Sequence, residues 1–255
     1  MTKGISLQGF VPVRQEPSHT SGMVSQILFG ENFTILETMG SWVLVKLDFD
    51  KTEGWVNRGS IMTAEAETGQ RARFKLAVRP TVSVRDLTRG RLMILPAGAV
   101  WNHAAGKTWM LGGRQFELLS EEGWKDPGAE NDPETTGTLL LSLPGIQGGR
   151  CGFGFDAPGL VQFLCRTLGI HLPRDCRAQA ESGSPVNFIH EVKKGDLAFF
   201  DNTEGEIIHV GMALGQGRII HAYDQVRIDI LDHQGIFNAE TEGYSHRLRI
   251  IKRPI

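Results

Sequence analysis

The sequence predicts two small β-barrels followed by an α+β domain. Short apolar runs broken by turn clusters crowd residues 5–62, and a second such series fills residues 73–119. From about residue 137 a helical pattern comes first and strands follow. The 255 residues include 31 glycines, a density of turn residues that suits many short strands. On this reading the first barrel spans residues 1–64, the second 72–122, a linker 123–136 and the α+β domain 137–255.

In the first segment the β-type runs are Phe10–Val13, Gln26–Phe29, Phe33–Glu37, Trp42–Leu47 and Gly54–Val56. Val43, Val45 and Leu47 alternate with Leu44 and Lys46, the period of a strand with one face buried. Strands this short and close together favour closure, which leaves no edge exposed. Trp42 and Trp55 read as barrel core, with a ligand-facing role for either as the alternative. The second segment repeats the pattern at Phe74–Val78, Val82–Arg85, Arg91–Ile94, Val100–Asn102, Thr108–Leu111 and Arg114–Leu119. The stretch EEGWKDPGAENDPETTG, residues 121–137, is acidic, rich in Pro and Gly, and aperiodic, so it reads as a linker. Beyond it, Leu160, Phe163, Leu164 and Leu168 share one side of a helix. Pro158 suits its first turn and Gly169 its end. Strands are expected at Asp196–Phe200, Ile207–Leu214, Arg218–His221 and Leu248–Lys252.

Composition narrows the function classes. At 40% hydrophobic and 22% charged residues, the chain is neither disordered nor fibrous. A net charge of −2 provides no field to draw it onto nucleic acid or anionic lipid. The most apolar run, Leu139–Ile146, is interrupted by Ser142, Pro144 and Gly145 and is too short to span a bilayer. The first twenty residues lack the apolar core of a secretory signal, so a cytoplasmic location is expected unless a leader has been trimmed. Cys151, Cys165 and Cys176 are an odd count without a CxxC pair, which argues against a disulfide framework or a zinc site. No metal, no organic cofactor and a monomer are expected.

Two strands, Ile207–Leu214 and Arg218–His221, flank a Gly215-Gln216-Gly217 turn. His209 and His221 are equidistant from Gly215, and a suitable register sets them across from each other on one face. One imidazole then orients the other, the arrangement of a base and its orienter; two incidental hairpin histidines are the plainer alternative. A nucleophile on the first turn of the preceding helix would gain from the helix dipole and its free N–H groups.

The chain reads Gly148-Gly149-Arg150, Gly154-Phe155-Asp156-Ala157-Pro158-Gly159, Pro173-Arg174-Asp175 with Gln179, Gly195-Asp196-Leu197-Ala198-Phe199-Phe200, His209-Val210-Gly211 and Ile220-His221-Ala222. Over about 110 residues this order resembles the NlpC/P60 cysteine peptidases. The runs "VPVRQEPS", "LFGENFTILE", "GSWVLVKL" and "GWVNRGSI" resemble a bacterial SH3 (SH3b) domain, and residues 72–122 resemble a second, more divergent one. Together the closest resemblance is to the γ-D-glutamyl-L-diamino acid endopeptidases, or dipeptidyl-peptidase VI. It implies SH3-like barrels before a papain-like α+β domain. It also implies a hydrolase acting on cell-wall (murein) peptides with a free N-terminal L-Ala, in recycling of peptidoglycan fragments. His209 would be the base and His221 its orienter.

The departures are as informative. The nucleophilic Cys of the family aligns with Ala157, whose methyl group cannot attack a carbonyl. The following Ser is Pro158, and the family's Tyr-x-Trp-Gly-Gly is Gly145-Ile146-Gln147-Gly148-Gly149. Cys165 lies about 12 Å along the helix from Ala157 and reads as core. Cys151 and Cys176 have no histidine partner in this pattern. Asp156 is either the helix N-cap or, as the resemblance implies, a holder of the substrate's free amine, or both. Asp48, Asp50 and Glu53 are candidates to complete that amine pocket. Three functions remain open: a peptidase with its nucleophile deliberately replaced, a natural pseudo-enzyme that binds peptidoglycan fragments, and a protein that keeps only the fold.

Overall fold

The computed structural model describes residues 2–64, 74–128 and 130–255. Residues 72 and 73, where the sequence starts the second barrel, lie outside the described residues. The chain divides into two compact units: residues 1–127 with 147–153, and residues 128–146 with 154–255.

In the first unit, strands β1 (Lys3–Ile5), β2 (Phe10–Arg14), β3 (Met23–Leu28), β4 (Asn32–Met39), β5 (Trp42–Leu47), β6 (Glu53–Asn57) and β7 (Met62–Ala64) form one sheet in the order β3-β2-β6-β5-β4-β1-β7. The five expected strands are present, and β1 and β7 are added beside them. Val11, Val13, Ile27, Phe33, Val43, Val45, Leu47 and Val56 make its core. Trp42 is buried with a ring edge against His19 at 4.9 Å, while Trp55 is half-buried.

A second pair of sheets follows. Strands β8 (Phe74–Ala77), β9 (Thr81–Asp86), β10 (Arg91–Pro96), β11 (Val100–Asn102), β12 (Thr108–Leu111), β13 (Arg114–Leu118) and β14 (Trp124–Lys125) pair as β10-β9-β13-β12 and β11-β8-β14. Their shared core includes Trp101, Trp109, Trp124, Phe116 and Leu95, joined by Ile5 of β1 and by Leu7 and Phe29 from the neighbouring connections. The stretch read as a linker, 123–136, thus holds β14, because Trp124 is a core side chain that pairs opposite Ala77. It also holds the start of helix α1 (Pro133–Thr138), where Asp132 caps Thr135 N–H.

Residues 147–153, placed by sequence in the α+β domain, pack with the first unit. Strand β15 (Arg150–Cys151) lies here. Arg150 meets Glu31 through four N–O contacts of 2.9–3.2 Å, both side chains almost fully buried. Gln26 Oε1 accepts from Arg150 N–H at 2.9 Å, and the guanidinium lies over Phe49. Gly152 is required: an added Cβ would lie 2.0 Å from Pro80 O.

The second unit follows with β16 (Gly154–Phe155), helices α2 (Ala157–Thr167) and α3 (Cys176–Glu181), then β17 (Ser184–Val186), β18 (Leu197–Asp201), β19 (Ile207–Gly215), β20 (Arg218–Ala222), β21 (Val226–Leu231), β22 (Gly235–Asn238) and β23 (Gly243–Arg253). The sheet runs β17-β23-β18-β19-β20-β21-β22, and a further β22–β23 pairing closes six strands on themselves. Ala198, Phe200, Ala213, Ile219, Leu231, Ile236 and Ile251 fill the inner face. Helix α2 packs against β19 and β20. It is buried on nearly every side, beyond the single stripe expected, with Val161, Gln162 and Arg166 enclosed as well as Cys165, which was expected in the core. It ends as Gly169 predicts: Gly169 has φ +80°, its N–H bonds Arg166 O, and Ile170 N–H bonds Cys165 O. None of the described helices is long and apolar enough to cross a membrane.

Candidate functional site

Three neighbouring strands of the second unit each carry one member of a hydrogen-bonded chain. His209 on β19 meets His221 on β20, Nε2 to Nδ1, at 2.9 Å, and His221 Nε2 meets Asp229 Oδ2 on β21 at 2.9 Å. All three are buried. The register is not the directly opposed one. His221 pairs opposite Gly211, so His209 lies two residues along, and Asp229 is displaced from His221 in the same diagonal sense. The offset comes from a turn that sets Gly215 opposite Arg218, and the register shift between Ala213 and Gly215 brings it to an even two residues, which keeps both rings on one face. Long imidazoles span such a diagonal, where short side chains would not.

Charge fixes the tautomers. Arg227 binds Asp229 at 2.7 and 3.1 Å. The contacts from His221 and Arg227 outweigh burial and hold Asp229 below the ordinary carboxylate range, so it is an acceptor only. His221 then donates from Nε2 to Asp229, and with its Nδ1 as the acceptor the proton between the two rings is carried by His209 Nε2. The lone pair of His209 is thereby left on Nδ1. Burial, together with His246 and His221, pushes His209 well below the usual histidine value. It is a neutral base at physiological pH.

Two further rings complete the cluster. His246 on β23 stacks on His209 at 4.0 Å with 20° between planes, and Tyr223 meets His246 edge-on at 5.1 Å. Sequence reasoning missed Asp229 and His246. The signal for Asp229 was its place in VRIDIL, where an acid alternates with Leu231 on an inward face.

At the start of α2, Asp156 is the N-cap: its Oδ1 accepts from Gly159 N–H at 2.8 Å. Arg174 grips the same carboxylate at 2.9 and 2.7 Å. Leu160 N–H bonds Asp156 O, and Pro158 has no N–H to give. Ala157 N–H is thus the one first-turn donor neither committed to Asp156 nor lost to proline. Gln179 on α3 donates to Pro158 O at 3.0 Å and Pro173 O at 2.9 Å. Cys176, also on α3, bonds Ile207 O at 3.5 Å, two residues before His209. Helix α3 therefore ties the α2 start to the β19 start.

All three thiols are pushed above the ordinary cysteine value. Burial pushes Cys151 to about 11 and Cys165 to about 12, and burial with Asp175 and Asp156 raises Cys176. Cys151 belongs to the first unit and Asp48 pairs with Lys3 there. No group of three metal-ligating side chains converges among the described residues.

Residues 146–243 match the NlpC/P60 family, and residues 13–61 match the bacterial dipeptidyl-peptidase Sh3 domain. The chain is 28% identical over 231 residues to a gamma-D-glutamyl-L-lysine dipeptidyl-peptidase of Bacillus cereus, covering 80% of this chain and 68% of that one. It is 23% identical over 247 residues to dipeptidyl-peptidase 6 of Lysinibacillus sphaericus, covering 86% of this chain and 88% of that one. A solved NlpC/P60 family protein from Bacillus cereus shares the fold, with TM-score 0.84, 22% identity, and coverage of 98% of this chain and 99% of that one. The chain therefore carries an NlpC/P60 domain with a bacterial SH3 domain ahead of it.

Proposed function

We propose that this NlpC/P60-type protein binds short cell-wall peptides of the L-Ala-γ-D-Glu-diamino acid kind without cleaving them by the cysteine route. The observation that supports the reading is the His209–His221–Asp229 hydrogen-bonded chain, in a domain where we take Ala157 to stand at the family's nucleophile position. A methyl group forms no thioester, and neither Pro158 nor Gly159 has a spare N–H for an oxyanion. What persists is recognition: Asp156, with a charge shared by Arg174, faces the peptide's ammonium. Residues 74–125 serve as a second SH3-like barrel, a reading supported by their two small antiparallel sheets around a tryptophan core. The setting is recycling of wall fragments in the cytosol.

Calorimetry with L-Ala-γ-D-Glu-L-Lys tests this directly. Heat of binding at micromolar to millimolar peptide, with no dipeptide released, is expected; silence at millimolar peptide overturns the reading. An Ala157→Cys/Pro158→Ser double variant is expected to release L-Ala-γ-D-Glu, and faster than Ala157→Cys alone. The intact imidazole chain favours this latent competence.

A further inference from the structure

The third histidine has no part in the base–orienter scheme, yet it makes the closest ring contact in the cluster. His246 covers one face of His209 at 4.0 Å, its Nδ1 is 2.9 Å from Ser245 Oγ, and its ring is 6.0 Å from His221. Tyr223 meets both His246 and His209 edge-on, at 5.1 and 6.3 Å, and Phe200 packs against both at 5.9 and 5.8 Å. Three imidazoles and two aromatic rings thus form one contiguous cluster.

The geometry points to His246 as a positioning residue for His209: its stacked ring fixes the plane of the base and excludes a second positive charge from the cluster. Deepening the reading above, it rests on His209 being the base. Parallel rings at van der Waals distance leave His209 no freedom to rotate about its bond to His221. Two imidazolium ions stacked this closely repel each other.

The charged groups around the cluster do not undo that. Among the described residues, Asp229 is the carboxylate bonded to it, through His221, and is shared with Arg227, which also reaches Glu240. From α3 comes the neutral Cys176 thiol, with Asp175 capping that helix; Asp156 ahead of α2 is matched by Arg174. Burial and the neighbouring His221 keep His246 itself down to about 4, so the stack is neutral at physiological pH.

Imidazole nitrogen NMR on the intact protein tests the role without any need for turnover. His209 is expected to show one tautomer, protonated at Nε2, and a midpoint well below 6.5. His246→Phe keeps the stack and removes the titrating group, so the His209 midpoint rises by about one unit while the tautomer stays. His246→Ala removes both, so the midpoint rises and the tautomer signature mixes. A packing role alone predicts that His246→Phe behaves like the unaltered protein. A His209 midpoint within about 0.3 unit of the original in both variants overturns the proposal. In the Ala157→Cys/Pro158→Ser background, His246→Phe shifts the acid limb of the pH–rate profile by the same amount. If that background fails to cut, the claim of latent hydrolysis falls, while the titrations still decide the role of His246.

Discussion

Replacing Arg150 by methionine removes the cation from a carboxylate that has no water to turn to. Glu31 is held by four contacts of 2.9–3.2 Å from Arg150 and one bond of 2.9 Å from Leu28 N–H. The two side chains are only 2% and 4% exposed. Methionine fills much of the volume but takes the guanidinium from a buried carboxylate, a loss of about 3–5 kcal/mol. Adding Glu31→Gln removes that charge, so the double variant is less damaged than Arg150→Met alone by roughly 2 kcal/mol. All five tryptophans, Trp42, Trp55, Trp101, Trp109 and Trp124, lie in the first unit, so intrinsic fluorescence follows its unfolding selectively. The fluorescence midpoint of Arg150→Met is expected to fall by roughly 10 °C. A loss under about 1 kcal/mol, or a double variant no better than the single one, refutes the account of this pair.

Two further outcomes follow from the second unit. Asp156→Ala removes the α2 cap and leaves Arg174, 8% exposed, without its carboxylate; the cost is about 3 kcal/mol by urea unfolding, and Asp156→Asn, which still caps, costs less. Acid stability should decline between pH 6.5 and 4. His209 and His246 have lowered values in the fold, so the unfolded chain binds more protons across that window and stability falls as pH drops. For His246, held at about 4 but partly open to solvent, the share is ~1–2 kcal/mol, and urea midpoints across this range flatten in His246→Phe.

Local rules made much of this legible. Alternation found the strands of the first 120 residues, and a proline, a glycine and an aspartate marked both ends of α2. His209 and His221 were visible because a glycine turn ties them in a hairpin; their diagonal offset was not, since the register set by the turn leaves no mark in spacing. Asp229 and His246 come from strands that pair late in the chain, where a carboxylate in a mixed polar strand looks like surface. Trp124 lay hidden in an acidic, proline-rich stretch because one core side chain sets no period. Arg150 read as part of the C-terminal motif, and long-range partners such as Glu31, 119 residues away, assign it elsewhere.

The excursion of residues 147–153 means that the backbone passes from one unit to the other three times. No single cut liberates both halves intact: severing before Gly128 strips Glu31 of its guanidinium and leaves the C-terminal piece with an orphaned, glycine-rich loop. Gene fusions that trade such front-end modules must therefore carry this short return segment along, and swaps made at the acidic stretch alone should give insoluble front halves.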